Sequence, residues 1–255
     1  MKNKLVTFVI LLTILINCSS VKNKNNSIKQ NFKTITFNAK DGVTITADIY
    51  LTTKPNAPLI LLFHQAMYSR GEYREIAPKL NALGFNCMAI DQRSGLAVNN
   101  VKNETTKSAK KLNKDTKYIN AIPDLEAALE YAKTTLNSNK TILWGSSYSS
   151  SLVLYMASQN PNDIKAVLSF SPGEYFTINN KEIQTFTNKI KCPVFITSAK
   201  NEQKSWQKIY DNITSKKQFF IPTLKGNHGS KALWQKNESH KEYWQAVEKF
   251  LQIQS

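Results

Sequence analysis

Residues 144–151 read WGSSYSSS, and Ser147 within them has the neighbours a nucleophile needs. The run KTILW before it is apolar and of strand type, while LVLYMASQ after it carries apolar residues at helical spacing, so the serines fill a strand-to-helix turn. In so tight a turn the central residue is held strained with its side chain exposed, and the residues two places away on either side must be small. Gly145 and Ser149 satisfy that demand, which makes the stretch a G-x-S-x-G elbow whose last glycine is replaced by serine. A serine hydroxyl is a poor nucleophile until a base within hydrogen-bond reach takes its proton. The chain offers three histidines. His228, in LKGNHGSKALW, follows the last predicted strand, is flanked by glycines and comes after Ser147 in the order Ser, acid, His, so it is the expected base. His64 closes the apolar run PLILLF, ahead of Ser69 and Glu72, which read as an S-x-x-E capping box opening the next helix, and it is read as structural. His240 falls in the opening turn of the last helix, amid ESHKEY, and is read as solvated.

The elements that must position these residues alternate along the chain. Two alternating runs around Asp41-Gly42 predict a hairpin. PLILLF is a buried strand, REIAPKLNAL a helix closed by Gly84, FNCMAI a strand, and AIPDLEAALEYAKTTL a periodic helix with Pro123 in its first turn. After TILW and the elbow helix come the strand KAVLSF, a helical stretch within 179–190, the strand CPVFITS, a helix after Glu202, the strand QFFIP and the closing helix KEYWQAVEKFLQI. Such alternation predicts an α/β fold: a mostly parallel sheet with helices on both faces, led by an N-terminal β-hairpin. Sites in such sheets lie at the carboxyl ends of strands, which is where Ser147 falls. Between Asp91 and Tyr118 lies the one long irregular segment, and its length makes 96–118 a candidate lid or substrate loop. Asp91 and Arg93, in DQRSG, are assigned to loop structure.

With 255 residues, 41% of them hydrophobic, the chain suits one α/β domain with a sizeable core, expected over 32–255. The basic start MKNK leads into LVTFVILLTILI, an apolar run of 12 residues broken only by two threonines and short of the ~20 a spanning helix needs, so residues 1–17 read as a secretory signal. Its end, LINC, resembles the lipobox of bacterial lipoproteins, with Asn17 departing from the usual small residue. That resemblance implies lipidation at Cys18, followed by a polar tether over 18–31, and so a membrane-anchored place in the bacterial cell envelope. Cys87 and Cys192 lie on or beside strands far apart in the chain and are expected as buried free thiols. The net charge of +16 comes from scattered lysines without interleaved aromatics, which argues against nucleic acid and suits a tethered protein near anionic lipid. No HExxH or CxxC pattern suggests a metal or cofactor.

The ordered set formed by the hairpin, FHQAMYSRGEY, AIDQRSG, WGSSYSSSL, FSPGEYF, TSAKNE and GNHGSKALW resembles the α/β-hydrolase family, particularly its dienelactone-hydrolase-like and serine-esterase members, from about residue 33 to the C-terminus. The resemblance implies attack by Ser147 on an ester or related carbonyl, proton transfer by His228 and an acyl-enzyme intermediate, with no cofactor. It implies an oxyanion hole made by the backbone N–H groups of Ala66 and Tyr148, each such donor being worth about 2.7–4 kcal/mol in the transition state. In the family an Asp commonly follows the strand matching CPVFITS, whereas here Lys200, Asn201 and Glu202 stand there. Asn201 could orient an imidazole but not stabilise its charge. Glu202 could do both if its side chain reaches, and is the expected acid. Glu174 in SPGEYF is the rival, because some members carry the acid there. The expected function is a tethered serine esterase acting on a small ester or acyl substrate. The alternatives are a non-enzymatic binding lipoprotein with the same fold and a peptidase with the same nucleophile.

Overall fold

The computed structural model describes residues 32–139 and 141–254, so the expected signal, Cys18 and the tether lie outside the described residues. The chain opens with β1 (Lys33–Asn38) and β2 (Thr44–Tyr50), an antiparallel hairpin whose turn is made by Asp41 and Gly42, the glycine at φ +87°. Then come β3 (Leu59–Phe63), a 3₁₀ turn at Arg70–Tyr73, α1 (Ile76–Ala82) and β4 (Asn86–Ile90). The segment 96–118, expected to be irregular, holds a small hairpin of β5 (Ala97–Val98) and β6 (Val101–Lys102) and then α2 (Glu104–Lys111). A 3₁₀ turn at Tyr118–Ala121 leads into α3 (Ile122–Thr134), with Pro123 in its first turn. The second half runs β7 (Thr141–Ser146), α4 (Tyr148–Gln159), β8 (Ile164–Phe170), α5 (Gln184–Thr187), β9 (Val194–Thr197), α6 (Gln203–Asp211), β10 (Lys217–Phe220) and α7 (His240–Gln252).

Eight strands form one sheet in the order β1-β2-β4-β3-β7-β8-β9-β10, antiparallel at the β1–β2 and β2–β4 pairs and parallel elsewhere. The pleat sends alternate side chains of each central strand into two separate cores. On one face Leu61, Met88 and Leu143 pack with Leu152 and Val153 of α4, Leu125 of α3 and Trp206 of α6. On the other, Leu62, Ala89 and Trp144 pack with Ile76 and Leu80 of α1 and with Val247 and Phe250 of α7. Each fully buried side chain of this size contributes about 1.5–3 kcal/mol, so the central strands β3 and β7 are held firmly from both sides.

α2 is tied down by hydroxyls rather than by an apolar stripe. The pairing of β2 with β4 begins only at Ala47, which leaves the amides of Thr44 and Thr46 without a strand on that side. Ser108 Oγ accepts from Thr44 N at 2.9 Å and Thr105 Oγ1 from Thr46 N at 3.0 Å. Asn103 caps the helix by accepting from Thr106 N at 2.8 Å. The DQRSG loop is fixed by charge. Arg93 reaches Asp41 and Asp124, each at 2.6 Å, and Asp91 accepts from the Arg70 guanidinium at 2.6 Å and from Glu104 N at 2.8 Å. Cys87 and Cys192 are buried free thiols.

Candidate active site

Ser147 lies between β7 and α4 with φ +57° and ψ −125°, a conformation that costs a non-glycine residue on the order of 1–3 kcal/mol. The surroundings enforce it: Ser147 N donates to Phe170 O at 2.8 Å, and the turn brings the chain back over Gly145. A Cβ at Gly145 would lie 2.3 Å from Ser149 O and 2.6 Å from Ser150 Cα, so only glycine fits there. At the other small position a serine is accommodated because its hydroxyl is used. Ser149 Oγ donates to His64 O at 2.6 Å and accepts from Gln92 Nε2 at 2.8 Å, binding the elbow to the ends of β3 and β4.

Ser147 Oγ stands 2.7 Å from His228 Nε2, and His228 Nδ1 stands 2.7 Å from Glu202 Oε1. An ionised carboxylate only accepts, so Nδ1 carries the ring proton and Nε2 is free to accept from the Ser147 hydroxyl. Glu202 is aimed by its own 3₁₀ turn at Lys200–Glu202, in which Oε2 accepts from Ala199 N at 3.1 Å, and by Ser171 Oγ, which donates to Oε2 at 2.7 Å. Ser171 also accepts from Gly229 N at 2.9 Å and so holds the histidine loop beside its acid. Burial works to raise the Glu202 carboxyl, but the hydrogen bonds from His228 and Ser171 outweigh it and keep the group below the usual glutamate range.

The other sequence candidates lie elsewhere. The Glu174 carboxylate accepts from Ile183 N at 2.5 Å and Gln184 N at 2.9 Å, at the start of α5. Asn201 points into solvent from the 3₁₀ turn. His64 is buried, its Nε2 accepting from Gln92 N at 2.9 Å, and burial pushes its imidazole down to about 4, a ring held neutral between two strand ends. His240 is half-buried, with Nδ1 2.7 Å from Asn237 O.

Tyr148 is the first residue of α4, so its N–H has no acceptor within the helix, and none of the described hydrogen bonds engages Ala66 N. Ala66 also borders a recess of about 190 Å³ lined by Met67, Leu96, Lys110, Thr116 and Tyr118. Tyr118 stacks on Tyr148 with ring centroids 4.5 Å apart. Two residues with no expected catalytic role also belong here. Tyr175 donates to Ser171 O at 2.7 Å, and burial pushes its phenol up to about 12, opposed by a hydrogen bond with Ser147. Glu72 was expected to cap a helix. Instead Ser69 Oγ caps the 3₁₀ turn by accepting from Gly71 N at 3.2 Å, while the Glu72 carboxylate turns inward to Gln65 N and Ser146 Oγ, each at 2.8 Å.

A nucleophile elbow at the carboxyl end of a central parallel strand, with a His after the last strand and an acid after the one before it, defines an α/β hydrolase. The sequence matches the dienelactone hydrolase family over residues 45–219, and the chain belongs to that family. It is thereby an α/β-hydrolase of the carboxylic-ester type. Comparison with curated proteins finds no significant sequence match. Among solved structures it is similar in fold to the dienelactone hydrolase of Anabaena variabilis (TM-score 0.67, 13% identity, covering 88% of this chain and 98% of that one). It is likewise similar to an esterase of Butyrivibrio proteoclasticus bound to ferulic acid (TM-score 0.66, 15% identity, 86% and 98%) and to an esterase of Pyrococcus furiosus (TM-score 0.62, 17% identity, 87% and 92%). Among the described residues, no group of three or more His, Cys, Asp or Glu side chains could hold a metal ion.

Proposed function

We propose that the protein is a serine esterase in which Ser147 attacks the carbonyl of a small ester and forms an acyl-enzyme. The observation that carries this reading is the unbroken line of hydrogen bonds from Ser147 Oγ through His228 to Glu202, 2.7 Å at each step. As Oγ adds to the carbonyl carbon, its proton passes to His228 Nε2, and the resulting imidazolium donates Nδ1–H to the Glu202 carboxylate. The N–H groups of Ala66 and Tyr148 receive the oxyanion. Collapse expels the alcohol, which takes the proton from Nε2. Water then enters, His228 removes its proton as it attacks the acyl carbon, and the free acid leaves as Ser147 recovers its hydrogen.

The recess beside Ala66 supports a small substrate, and its lining sets the apolar Met67, Leu96 and Tyr118 against the polar Thr106, Lys110 and Thr116, which suits a short group with a polar end. We also propose, from the sequence alone, that Cys18 carries a lipid anchoring the enzyme to the cell envelope. The test of the mechanism is rapid mixing with p-nitrophenyl acetate. A burst of nitrophenol equivalent to one per chain, absent in Ser147→Ala, is expected. Turnover that persists in Ser147→Ala would contradict the reading.

A further inference from the structure

We propose that Glu72 is a positioning residue of this site, its buried carboxylate tying the oxyanion turn, the nucleophile elbow and the histidine loop into one rigid unit. The proposal rests on the serine-esterase reading. Glu72 Oε2 accepts from Gln65 N at 2.8 Å, and Gln65 immediately precedes Ala66. Glu72 Oε1 accepts from Ser146 Oγ at 2.8 Å, and Ser146 immediately precedes Ser147. The same Ser146 oxygen accepts from Ser230 N at 2.8 Å, two residues past His228. One side chain therefore reaches, directly or through one hydroxyl, a residue adjacent or nearly adjacent to each of the three functional groups.

The packing leaves little slack. A Cβ at Gly229 would stand 2.5 Å from Gln65 Oε1 and 2.6 Å from Ser146 Oγ, so the histidine loop is seated directly on the two residues that Glu72 holds. Glu72 is itself fixed by Trp234 Nε1, which donates to its backbone oxygen at 2.9 Å. The residue type matters. A carboxylate can accept from Gln65 N–H and from Ser146 O–H at once, which leaves the Ser146 oxygen to accept from Ser230 N–H. A glutamine would present N–H to a hydroxyl oxygen that already accepts, so the Ser146 proton would lose its acceptor and the hydroxyl would turn. Glu72 is fully buried and no salt bridge neutralises it among the described residues. Burial pushes its carboxyl up to about 7, against the hydrogen bonds of Gln65 and Ser146 and the more distant charges of Lys231 and His228. A charge kept there without an ion-pair partner is costly for a purely structural position and useful beside a histidine that becomes positive during turnover.

The experiment compares the native chain, Glu72→Gln, Ser146→Ala and the double variant with p-nitrophenyl acetate, recording kcat, KM and the thermal midpoint at pH 8. Expected are a fall in kcat of about 100-fold in Glu72→Gln with KM unchanged, a comparable fall in Ser146→Ala, and no further loss in the double variant. The midpoint of Glu72→Gln should not drop, which a structural role would require it to do. Native kcat in Glu72→Gln, losses that multiply in the double variant, or a loss of kcat that tracks a lowered midpoint would each overturn the proposal. Should Glu72→Gln fail to fold, Ser146→Ala decides alone, and native kcat in it overturns the proposal. A native chain that neither hydrolyses p-nitrophenyl acetate nor is labelled at Ser147 by a fluorophosphonate would instead overturn the esterase mechanism, and this proposal with it.

Discussion

Replacing Glu72 by Gln should make the protein more stable at alkaline pH while making it slower. The carboxyl has an ordinary value of 4.5 and sits near 7 in the folded chain because burial disfavours its charge. The folded value is the higher one, so the folded chain holds the proton more tightly, and the stability this provides is complete below 4.5 and lost as pH rises through 7. The difference of about 2.5 pH units corresponds to roughly 3 kcal/mol of penalty above pH 7, at about 1.4 kcal/mol per unit. Gln is neutral in both states and escapes the penalty at every pH. The stability of Glu72→Gln relative to the native chain should therefore rise by about 2–3 kcal/mol between pH 5 and pH 8, or roughly 5–10 °C in midpoint for a domain of this size. The groups facing Glu72 are Lys231, His228, Tyr68 and Tyr73, and all are present in both proteins. Paired urea unfolding curves or thermal scans at pH 5, 6, 7 and 8 measure it. Parallel stability profiles for the two proteins, or a Glu72→Gln chain that loses ground as pH rises, would refute the reasoning.

Glu202→Gln should lower kcat by about 10⁴-fold with the fold intact, since an amide cannot stabilise the imidazolium and favours the wrong tautomer, whereas Glu174→Gln should leave kcat within a factor of a few and cost about 1 kcal/mol of stability by weakening the two amide contacts at the start of α5. Steady-state kinetics with urea unfolding separates the two, and a severe kcat loss confined to Glu174→Gln would reverse the assignment. Because hydrogen bonds hold the Glu202 carboxyl below the usual range, the stability it contributes should be present above the ordinary glutamate value and disappear as pH falls through its lower folded value, a loss that Glu202→Gln removes from the acid unfolding profile. In cells fed a fatty-acid analogue, the native chain should take up the label and Cys18→Ala should not; label retained by Cys18→Ala would exclude the anchor at that residue.

The elements that were legible in the sequence are those whose signal is local. β3, β7 and the elbow carry continuous apolar runs and a small-residue turn, and the Asp41-Gly42 turn requires its positive φ. α2 was missed because it has one buried apolar residue, Ala109, and docks through Thr105 and Ser108, so no hydrophobic period marks it. The only signal present was the Asn103 cap followed by Glu104. Similarly, only four residues of the expected helical stretch within 179–190 form a helix, α5, whose start is held by Glu174. Which acid meets His228 depends on a 3₁₀ turn that folds Glu202 back onto Ala199 N and on Ser171 reaching across from the end of β8, contacts that no local pattern specifies. Glu72 shows the limit most clearly. The S-x-x-E spacing is the same whether the glutamate caps its own turn or crosses to Ser146, 74 residues away, and only the packing of the elbow against the end of β3 decides between them.

Covalent labelling with a fluorophosphonate probe followed by peptide mass spectrometry tests most directly whether Ser147 carries the reacting oxygen. A single adduct on the peptide containing Ser147 is expected in the native chain, with labelling abolished in Ser147→Ala and strongly slowed in a His228→Ala variant that lacks the base 2.7 Å from Oγ. An unlabelled native chain, or an adduct that persists in Ser147→Ala on another residue, would contradict that assignment.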